Sequence, residues 1–291
     1  MKTAYVEAVA VVGPGLADWP RAASVLRDPA AYMPSSVRLD DAAGMTANER
    51  RRTTPLIRLV LQVLEQLSAQ SSLDLSSAKA IFATSWGDMK VVDTILCTLP
   101  MPGAPVSPVH FHYCAHNMAA GYWSIGTGAR GLSTSLAAAD ASVAAGLVEA
   151  FVCLDGDDDA PLLLVCYDHP LPAPWDRFYR IEAPFAAAMT LTSRRTEQSR
   201  CAMTLTLLPE QPETRMAHPA LEKLRLGNPS ARALPILQAL AMPAPSRVVL
   251  PSTIGRSSLA IDIEPLCQPS REDGSESSER VTAATAAAGA A

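Results

Sequence analysis

The sequence predicts an α/β protein built around a mixed sheet. In the first half of the chain, short apolar runs typical of buried strands alternate with longer amphipathic stretches typical of helices. In the second half, apolar runs follow one another with polar turns between them. Alternation favours parallel pairing, whereas consecutive strands favour antiparallel hairpins. Nearly half of the 291 residues are apolar, enough to bury one substantial core. We therefore expect one domain over residues 1–266.

The first half alternates between predicted strands and helices. Residues 5–12 form an apolar run that ends at Gly13-Pro14-Gly15, which favours a buried first strand. A capping-box spacing at Thr46–Glu49 precedes a helix whose apolar residues recur at three and four from Leu56 to Leu67. The elements predicted after it are a strand over 78–84, helices over 88–99 and 116–126, a short strand over 132–135 and an Ala-rich helix over 136–150.

The second half is predicted to contain paired strands and two helices. Residues 151–154 and 162–167 are expected to form one antiparallel hairpin, and residues 185–192 and 201–208 a second. The remaining predicted elements are helices over 219–226 and 231–241 and a closing pair of strands over 247–250 and 258–263. Residues 267–291 are rich in Ser, Glu, Asp and then Ala, and we expect this tail to be disordered because it has little apolar surface to bury.

Charge, hydropathy and cysteine spacing exclude several classes of protein. The net charge is −5 and the basic residues are scattered, so no basic face is predicted for nucleic acid or anionic lipid. The apolar runs are far shorter than the roughly 20 residues of a membrane helix. Glu7 and Gly13-Pro14-Gly15 interrupt the apolar start, which argues against a signal sequence. Six widely spaced cysteines without a C-x-x-C motif indicate reduced thiols and a cytoplasmic protein.

The stretch from Ser107 to Ala150 is the most informative about function. His116–Gly121, Gly126-Thr127-Gly128 and Ser133–Ala139 resemble, in order, the Asn-containing helix, the Gly-rich link and the nucleophile motif of β-ketoacyl synthases. These are the condensing enzymes of fatty acid and polyketide assembly. The segments that fit the same family order earlier in the chain are the first strand with Gly13–Gly15, Glu49–Arg52 and Thr84–Gly87.

The resemblance covers residues 4–170 and implies a thiolase-like fold. It implies the N-terminal half of a ketosynthase, with a mixed sheet and a buried helix, followed by a reduced second half over residues 171–266. It also implies that no cofactor is needed.

The nucleophile motif departs from the family at its central position. Our alignment puts Leu136 where the family has its cysteine, and residues 133–140 contain no cysteine. A cysteine in the first turn of a helix becomes an acyl acceptor because the helix dipole and free amides stabilise its thiolate. A leucine cannot hold a thioester. His169 and His218 also lie outside the motifs that carry the family's two catalytic histidines. The resemblance therefore implies a chain that does not condense acyl groups alone.

Family members of this kind are chain-length-factor-like subunits that pair with a catalytic ketosynthase, for example in aryl-polyene pathways. The resemblance thus implies a heterodimer with an active β-ketoacyl-acyl-carrier-protein synthase, with acyl carrier protein as a second partner. The candidate residues for the interface or an acyl pocket are His116, Asn117, Tyr122, Trp123 and Leu136. For Tyr122 and Trp123, packing in the core is an equally good interpretation.

Two other functions stay open at this point. One is a self-sufficient acyltransferase or thioesterase that uses Cys114 or Ser135 as its nucleophile. Cys114 is flanked by His112 and His116, and on an extended segment these three side chains would share one face. The other is a homodimeric acyl-binding module without a synthase partner.

Two charged clusters and one histidine group are predicted to have ordinary roles. His110, His112 and His116 lack the further ligands of a familiar metal site, so no metal is expected. The acidic residues within 155–159 are predicted to form a solvated turn. Arg50–Arg52 are predicted to be a solvated helix face, although arginines there would also suit an acidic carrier protein.

Overall fold

Eight strands and eight α-helices make up the part of the chain that this computed structural model describes, residues 2–40, 53–70, 74, 76–103, 105–154 and 160–266. The strands are β1 (Thr3–Val12), β2 (Lys79–Ala83), β3 (Ser133–Leu136), β4 (Leu162–Asp168), β5 (Phe185–Thr192), β6 (Cys201–Pro209), β7 (Ser246–Pro251) and β8 (Ser257–Pro265). The helices are α1 (Trp19–Arg27), α2 (Pro55–Gln70), α3 (Met89–Thr98), α4 (Pro108–Tyr113), α5 (Met118–Thr127), α6 (Ser142–Cys153), α7 (Pro219–Gly227) and α8 (Leu234–Ala241).

The eight strands form one mixed sheet in the order β3-β2-β4-β5-β1-β6-β8-β7. Strand β2 pairs in parallel with β3 and β4, and every other pair is antiparallel. Helical crossovers connect β2 to β3 and β3 to β4, as parallel neighbours require. The carboxyl ends of these three strands therefore lie at one edge of the sheet. The predicted α/β class with a mixed sheet is confirmed.

Helices cover both faces of the sheet. Along β4, Leu162, Leu164 and Cys166 face a core that also contains α1, α6, α7 and α8. The alternate residues of β4 face a second core with α2 and α5. Burial on both faces explains why this strand reads as a continuous apolar run. In β1, a bulge between Val6 and Ala8 shifts the alternation, so that Val6 and Val9 both face the first core.

Helix α2 confirms the amphipathic pattern read from the sequence. Its apolar stripe from Leu56 to Leu67 is buried against the sheet. The predicted capping box at Thr46–Glu49 lies outside the described residues, as do Arg50–Arg52, the acidic cluster within 155–159 and the tail from residue 267. No helix in the described ranges is both long enough and apolar enough to span a bilayer.

Both hairpins predicted in the second half are wrong. Residues 151–153 belong to α6 instead of a strand, and β4 pairs with β2 and β5. Strands β5 and β6 do not pair with each other because β1 lies between them. The first strand of the chain is thus inserted between two strands that are neighbours in sequence. A pattern of local hydropathy cannot reveal such an insertion. The closing pair β7 and β8 is confirmed.

The Ala-rich helix begins later than the sequence predicts. Residues 136–150 contain many alanines, the residue with the highest helix propensity, which favoured an early start. Leu136 instead ends β3, where it pairs with Ala83 of β2. A 3-10 turn over Ala139–Ala141 follows, and α6 starts only at Ser142.

Candidate functional site

A strand-to-helix elbow joins β3 to α6 at the edge where the parallel strands end. Ala139 sits at this elbow with a φ of 47°, and within the described ranges it is the sole non-glycine residue with a positive φ. Such backbone strain is costly, and strained strand-to-helix turns are used to present a nucleophile. The entrance of the helix therefore lies at Ala139. The sequence alignment had put Leu136, three residues earlier, at this entrance. At the elbow the side chain is the methyl group of Ala139.

Ser142 holds the elbow in this conformation. Its buried hydroxyl accepts a hydrogen bond from the Ala138 amide at 3.0 Å and donates one to the Ala139 carbonyl at 2.7 Å. The side chains of Ala139 and Asp140 are exposed to solvent. The described chain therefore presents a fixed elbow at its surface.

A chain of charged side chains ties the elbow to the second half of the molecule. The Asp140 carboxylate accepts a hydrogen bond from the Tyr179 hydroxyl and lies 3.7 Å from the Arg232 guanidinium. Arg232 also donates to Glu213 at 2.9 Å, and Glu213 in turn binds the fully buried Arg225. The hydrogen bond from Arg225 lowers the pKa of Glu213 more than any other contact does. The elbow position thus depends on residues about 40 to 90 positions further along the chain.

Asp168, the last residue of β4, is a buried polar residue where the parallel strands end. Its carboxylate accepts hydrogen bonds from the Thr84 hydroxyl, the Ser85 amide and the Ser85 hydroxyl, each at 2.9 Å, and from the Ser230 hydroxyl at 2.6 Å. Burial raises the pKa of Asp168, and these hydrogen bonds partly offset that effect. The Asn228 side-chain amide donates to the Asp168 carbonyl oxygen at 3.2 Å. Asp168 therefore links the ends of β2 and β4 to the 229–233 turn.

The two downstream histidines do not reach the elbow. The Nδ1 atom of His169 lies 3.2 Å from the Pro170 carbonyl oxygen, and burial lowers the pKa of His169, which favours its neutral form. It lines a cavity of about 230 Å³ beside Asp88 and Lys90. His218 packs edge-on against Tyr32, with ring centroids 5.8 Å apart. Within the described part of the chain, no hydrogen bond connects either histidine to residues 137–142.

The candidate interface residues fall into two groups. Tyr122 and Trp123 are 6% and 3% exposed and belong to the core beneath α2 and α5, where the Trp123 ring lies 6.0 Å from Phe82. The structure thus places these two aromatic side chains in the core. His116 and Asn117 are exposed just before α5, and Leu136 is half-buried at the end of β3.

Neither alternative nucleophile is hydrogen-bonded to a base within the described residues. The segment around Cys114 is helical at α4 instead of extended, so the predicted shared face with His112 and His116 does not form. The Cys114 thiol donates to the Phe111 carbonyl at 3.1 Å. The buried Ser135 hydroxyl has no hydrogen-bond partner in the described chain, and its register partner Phe82 lies on the α2/α5 face, opposite α6. Across the described ranges, no group of three His, Cys, Asp or Glu side chains is placed to hold a metal.

Three residues of this site were missed from the sequence. Asp168 carried a readable signal, because it is a polar residue directly at the end of an apolar strand. Ala139 carried no such signal, because nothing in an Ala-rich segment indicates which residue will have a positive φ. Arg232 also carried no signal in the sequence, because its partners Asp140 and Glu213 are distant in sequence.

Comparison with known proteins identifies the fold. The β-ketoacyl synthase N-terminal domain family matches residues 18–244. No curated protein sequence matches the chain. Among solved structures, the ketosynthase ApeO in complex with its chain length factor ApeC from Xenorhabdus doucetiae is similar, with a TM-score of 0.68 and 17% identity over 90% of this chain and 99% of that one.

Two further complexes are similar at lower identity. The ishigamide ketosynthase/chain length factor has a TM-score of 0.69 and 11% identity over 91% of this chain and all of that one. The complex of AntDE with the type II acyl-carrier protein AntF has a TM-score of 0.68 and 12% identity, covering 91% of this chain and 99% of that one. At these identities the similarity establishes a shared fold.

Proposed function

The chain belongs to the β-ketoacyl synthase family, whose N-terminal domain its residues 18–244 match, and on that premise we propose that it is a non-condensing, chain-length-factor-like subunit. It has the thiolase-like ketosynthase fold of that family. In the proposed assembly it pairs with an active β-ketoacyl-acyl-carrier-protein synthase. Residues 1–266 form the ketosynthase-like unit.

The observation that carries this proposal is the alanine at the elbow. Ala139 has the strained backbone and the position at the entrance of α6 that suit a nucleophile. An acyl acceptor needs a sulfur or oxygen atom there, and a methyl group supplies neither. We therefore assign Ala139, instead of Leu136, as the counterpart of the family's cysteine. The elbow geometry is kept while the chemistry of thioester formation is lost.

An exposed sheet edge supports a subunit partner. In the described part of the chain, strand β3 is the last strand on its side of the sheet, whereas the Val249 amide and carbonyl on the outer side of β7 are both paired with Thr214. Leu132, directly before β3, and Ile125, in the preceding helix α5, are 55% and 67% exposed. Unpaired edges beside exposed apolar side chains mark interaction sites. We place the synthase partner at this β3 edge.

The α3–α4 region adds exposed apolar side chains. They are Leu99, Met101, Val109 and Phe111, of which Phe111 is 69% exposed. Tyr122 and Trp123 are buried in the core, whereas Phe111 is an exposed aromatic side chain in the α3–α4 region and is free to enter a partner's acyl tunnel. We propose that it limits chain growth by steric exclusion. Replacing Phe111 with Ala should shift the products of the assembled pair towards longer chains, read by mass spectrometry.

The comparisons support the class of pathway and the second partner. Two of the similar structures are complexes of a ketosynthase with a chain length factor, and the third contains an acyl-carrier protein. We propose that the chain works with acyl carrier protein in cytoplasmic fatty acid or polyketide synthesis of the aryl-polyene type. It uses no cofactor of its own.

The test is condensation by the chain alone and with its partner. The purified chain, given acyl- and malonyl-carrier protein, should show no steady condensation, and a ketosynthase encoded beside it should co-purify with it and supply the activity. Steady condensation by the chain alone, at the rate of a competent synthase, would refute the proposal. So would a stable monomer in the presence of that ketosynthase.

Two variants separate this proposal from a self-sufficient enzyme. Cys114→Ala and Ser135→Ala each remove a candidate nucleophile, and neither side chain is hydrogen-bonded to a base in the described ranges. Both variants should leave the activity of the assembled pair intact. Loss of all turnover in either one would instead favour an acyltransferase or thioesterase that uses that residue.

A further inference from the structure

A small pocket opens on the first core, away from the elbow. It has a volume of about 150 Å³ and lies between α1, α8 and the paired ends of β1 and β6. Its walls include Val6, Val9, Trp19 and Ala23, each less than a tenth exposed. None of these elements carries an elbow residue, so the pocket is a separate feature of the fold.

The interior of the pocket is apolar. The bulge in β1 turns both Val6 and Val9 towards it, and Leu240 of α8 lies opposite. Burial raises the pKa of the Cys201 thiol in the same wall, so that this group stays neutral. A cavity with such walls favours a hydrocarbon occupant over water.

Two arginines border this apolar pocket. Arg27 is the last residue of α1, and Arg200 immediately precedes β6. The backbone of Arg200 is fixed at both ends, because its amide donates to the Val6 carbonyl and its carbonyl accepts from the Leu266 amide, each at 2.8 Å. In the part of the chain that the structure describes, neither guanidinium makes an ion pair or a hydrogen bond.

Three arginines elsewhere in the molecule show which acceptors a guanidinium takes. Arg225 and Arg232 bind Glu213, and the exposed Arg247 binds Asp262 in bidentate fashion. Planar guanidinium groups favour carboxylates because two parallel N–H donors match two oxygen atoms. Arg27 and Arg200 offer the same donors beside an apolar cavity, and among the described residues they have no such acceptor.

We propose that this pocket binds a carboxylate whose hydrocarbon body is about the size of a benzene ring. The body fills the cavity, since an apolar cavity of about 150 Å³ accepts benzene. The carboxylate is bound by Arg27 and Arg200. A free carboxylic acid is one source of this group. The chain itself is another, because the sequence after Leu266 contains Glu272, Asp273, Glu276 and Glu279.

Titration of the full chain with benzoate tests the proposal by ligand-detected NMR. Benzoate should bind, whereas benzamide, which has the same shape without the charge, should bind about tenfold more weakly because the charge-assisted hydrogen bonds are lost. Acetate should also bind more weakly because it leaves the cavity empty. Equal binding of benzoate and benzamide, or no binding of benzoate, would overturn the proposal.

Variants locate the site. Arg27→Gln and Arg200→Gln should each weaken benzoate binding about tenfold, and both side chains are exposed, so the fold should not suffer. Arg21→Gln, on the same helix but outside the pocket, is the matched control and should change nothing. Ala23→Met should fill the cavity and abolish binding. An equal loss in Arg21→Gln, or unchanged binding in Arg27→Gln and Arg200→Gln, would contradict the site.

A tail variant separates the two sources of carboxylate. The full chain with Glu272→Gln, Asp273→Asn, Glu276→Gln and Glu279→Gln keeps its length but loses these charges. Unchanged benzoate affinity assigns the pocket to a free acid. Higher affinity shows that the chain's own acidic residues compete for the same two arginines. Lower affinity would contradict the competition and the proposed charge preference of the pocket.

Discussion

At Ala139 the backbone has the strained conformation that suits a nucleophile, but the side chain is a methyl group. Its φ of 47° is a strain that alanine does not need for packing, and the side chain is exposed. Strain of this kind persists only where the surroundings impose it, here through the Ser142 hydroxyl and the Asp140 contacts. The elbow therefore keeps its strained backbone conformation, although the side chain of Ala139 has no reactive atom.

Ala139→Cys tests whether the elbow still activates a thiol. The new thiol would lie at the start of α6, where the helix dipole favours the thiolate, so we expect its pKa to fall below the ordinary value of about 8.5. The measurement is the pH dependence of its alkylation by iodoacetamide. Leu136→Cys, in β3, is the control and should show no such lowering. The same pKa at both positions would contradict the assignment of the elbow.

Asp168 makes a prediction about pH. Because burial raises its pKa above the ordinary value of 3.8, the native state holds this proton more tightly than the unfolded state does. As pH rises from about 4 through the raised pKa, this carboxyl therefore lowers the free energy of unfolding. Asp168→Asn cannot titrate, so the wild type should lose stability relative to this variant across that range.

Urea unfolding at a series of pH values measures the Asp168 effect. Asp262→Asn is the control, because the Asp262 side chain is 28% exposed beside Arg247 instead of fully buried. A difference between wild type and Asp168→Asn that stays constant with pH would show that Asp168 does not titrate in this range.

At the scale of elements, β3 combines two roles. One side of the strand bonds to β2, since the Ala80 amide donates to the Leu132 carbonyl and the Thr84 amide to the Leu136 carbonyl. Successive residues of a strand alternate in direction, so the backbone groups of Ser133 and Ser135 point to the open edge. This short strand is therefore the last strand of the described sheet, and its outer backbone groups carry the proposed pairing with a partner.

Ser133→Pro tests the open edge. Proline removes an outward N–H without breaking a bond to β2, so the chain alone should keep its melting temperature within a few degrees while partner binding weakens more than about tenfold. Thr134→Pro removes a bond to β2 and should destabilise the chain itself. Calorimetry and binding to the co-purified ketosynthase give the two readouts. Unchanged partner affinity in Ser133→Pro would move the interface away from β3.

At the scale of the whole molecule, the buried Arg225 connects distant segments. Its guanidinium binds Glu222 at 2.7 Å and Glu213 at 2.9 Å, and Glu213 leads through Arg232 to the elbow. A charge with no exposed surface is costly to bury unless it is fully paired. The two halves of the chain are thus joined by a network as well as by one sheet.

Arg225→Met should destabilise the chain by about 3 kcal/mol, because it leaves Glu213 and Glu222 without their shared cation. Arg247→Met removes an exposed pair with Asp262 and should cost less than about 1 kcal/mol. Chemical denaturation of both variants gives the comparison. Similar losses in the two would mean that the buried network contributes no more than a surface pair.

The sequence by itself determined the family, the mixed sheet and several elements, because those properties are written in local patterns. The first strand, the stripe of α2, the closing strands and the absence of a cysteine within 133–140 could all be read directly. Family motifs lie on continuous segments, so their order can be recognised in the sequence even where the nucleophile is absent.

Only the tertiary structure decided where α6 begins, which strands pair and which aromatic side chains are buried. The start of α6 depends on the pairing of Leu136 with Ala83, and β1 separates β5 from β6 although it lies far from both in sequence. The pocket beside Arg27 and Arg200 likewise joins residues more than 170 positions apart. These features arise from contacts between residues that are distant in sequence. Local hydropathy and helix or strand propensity do not reveal such contacts.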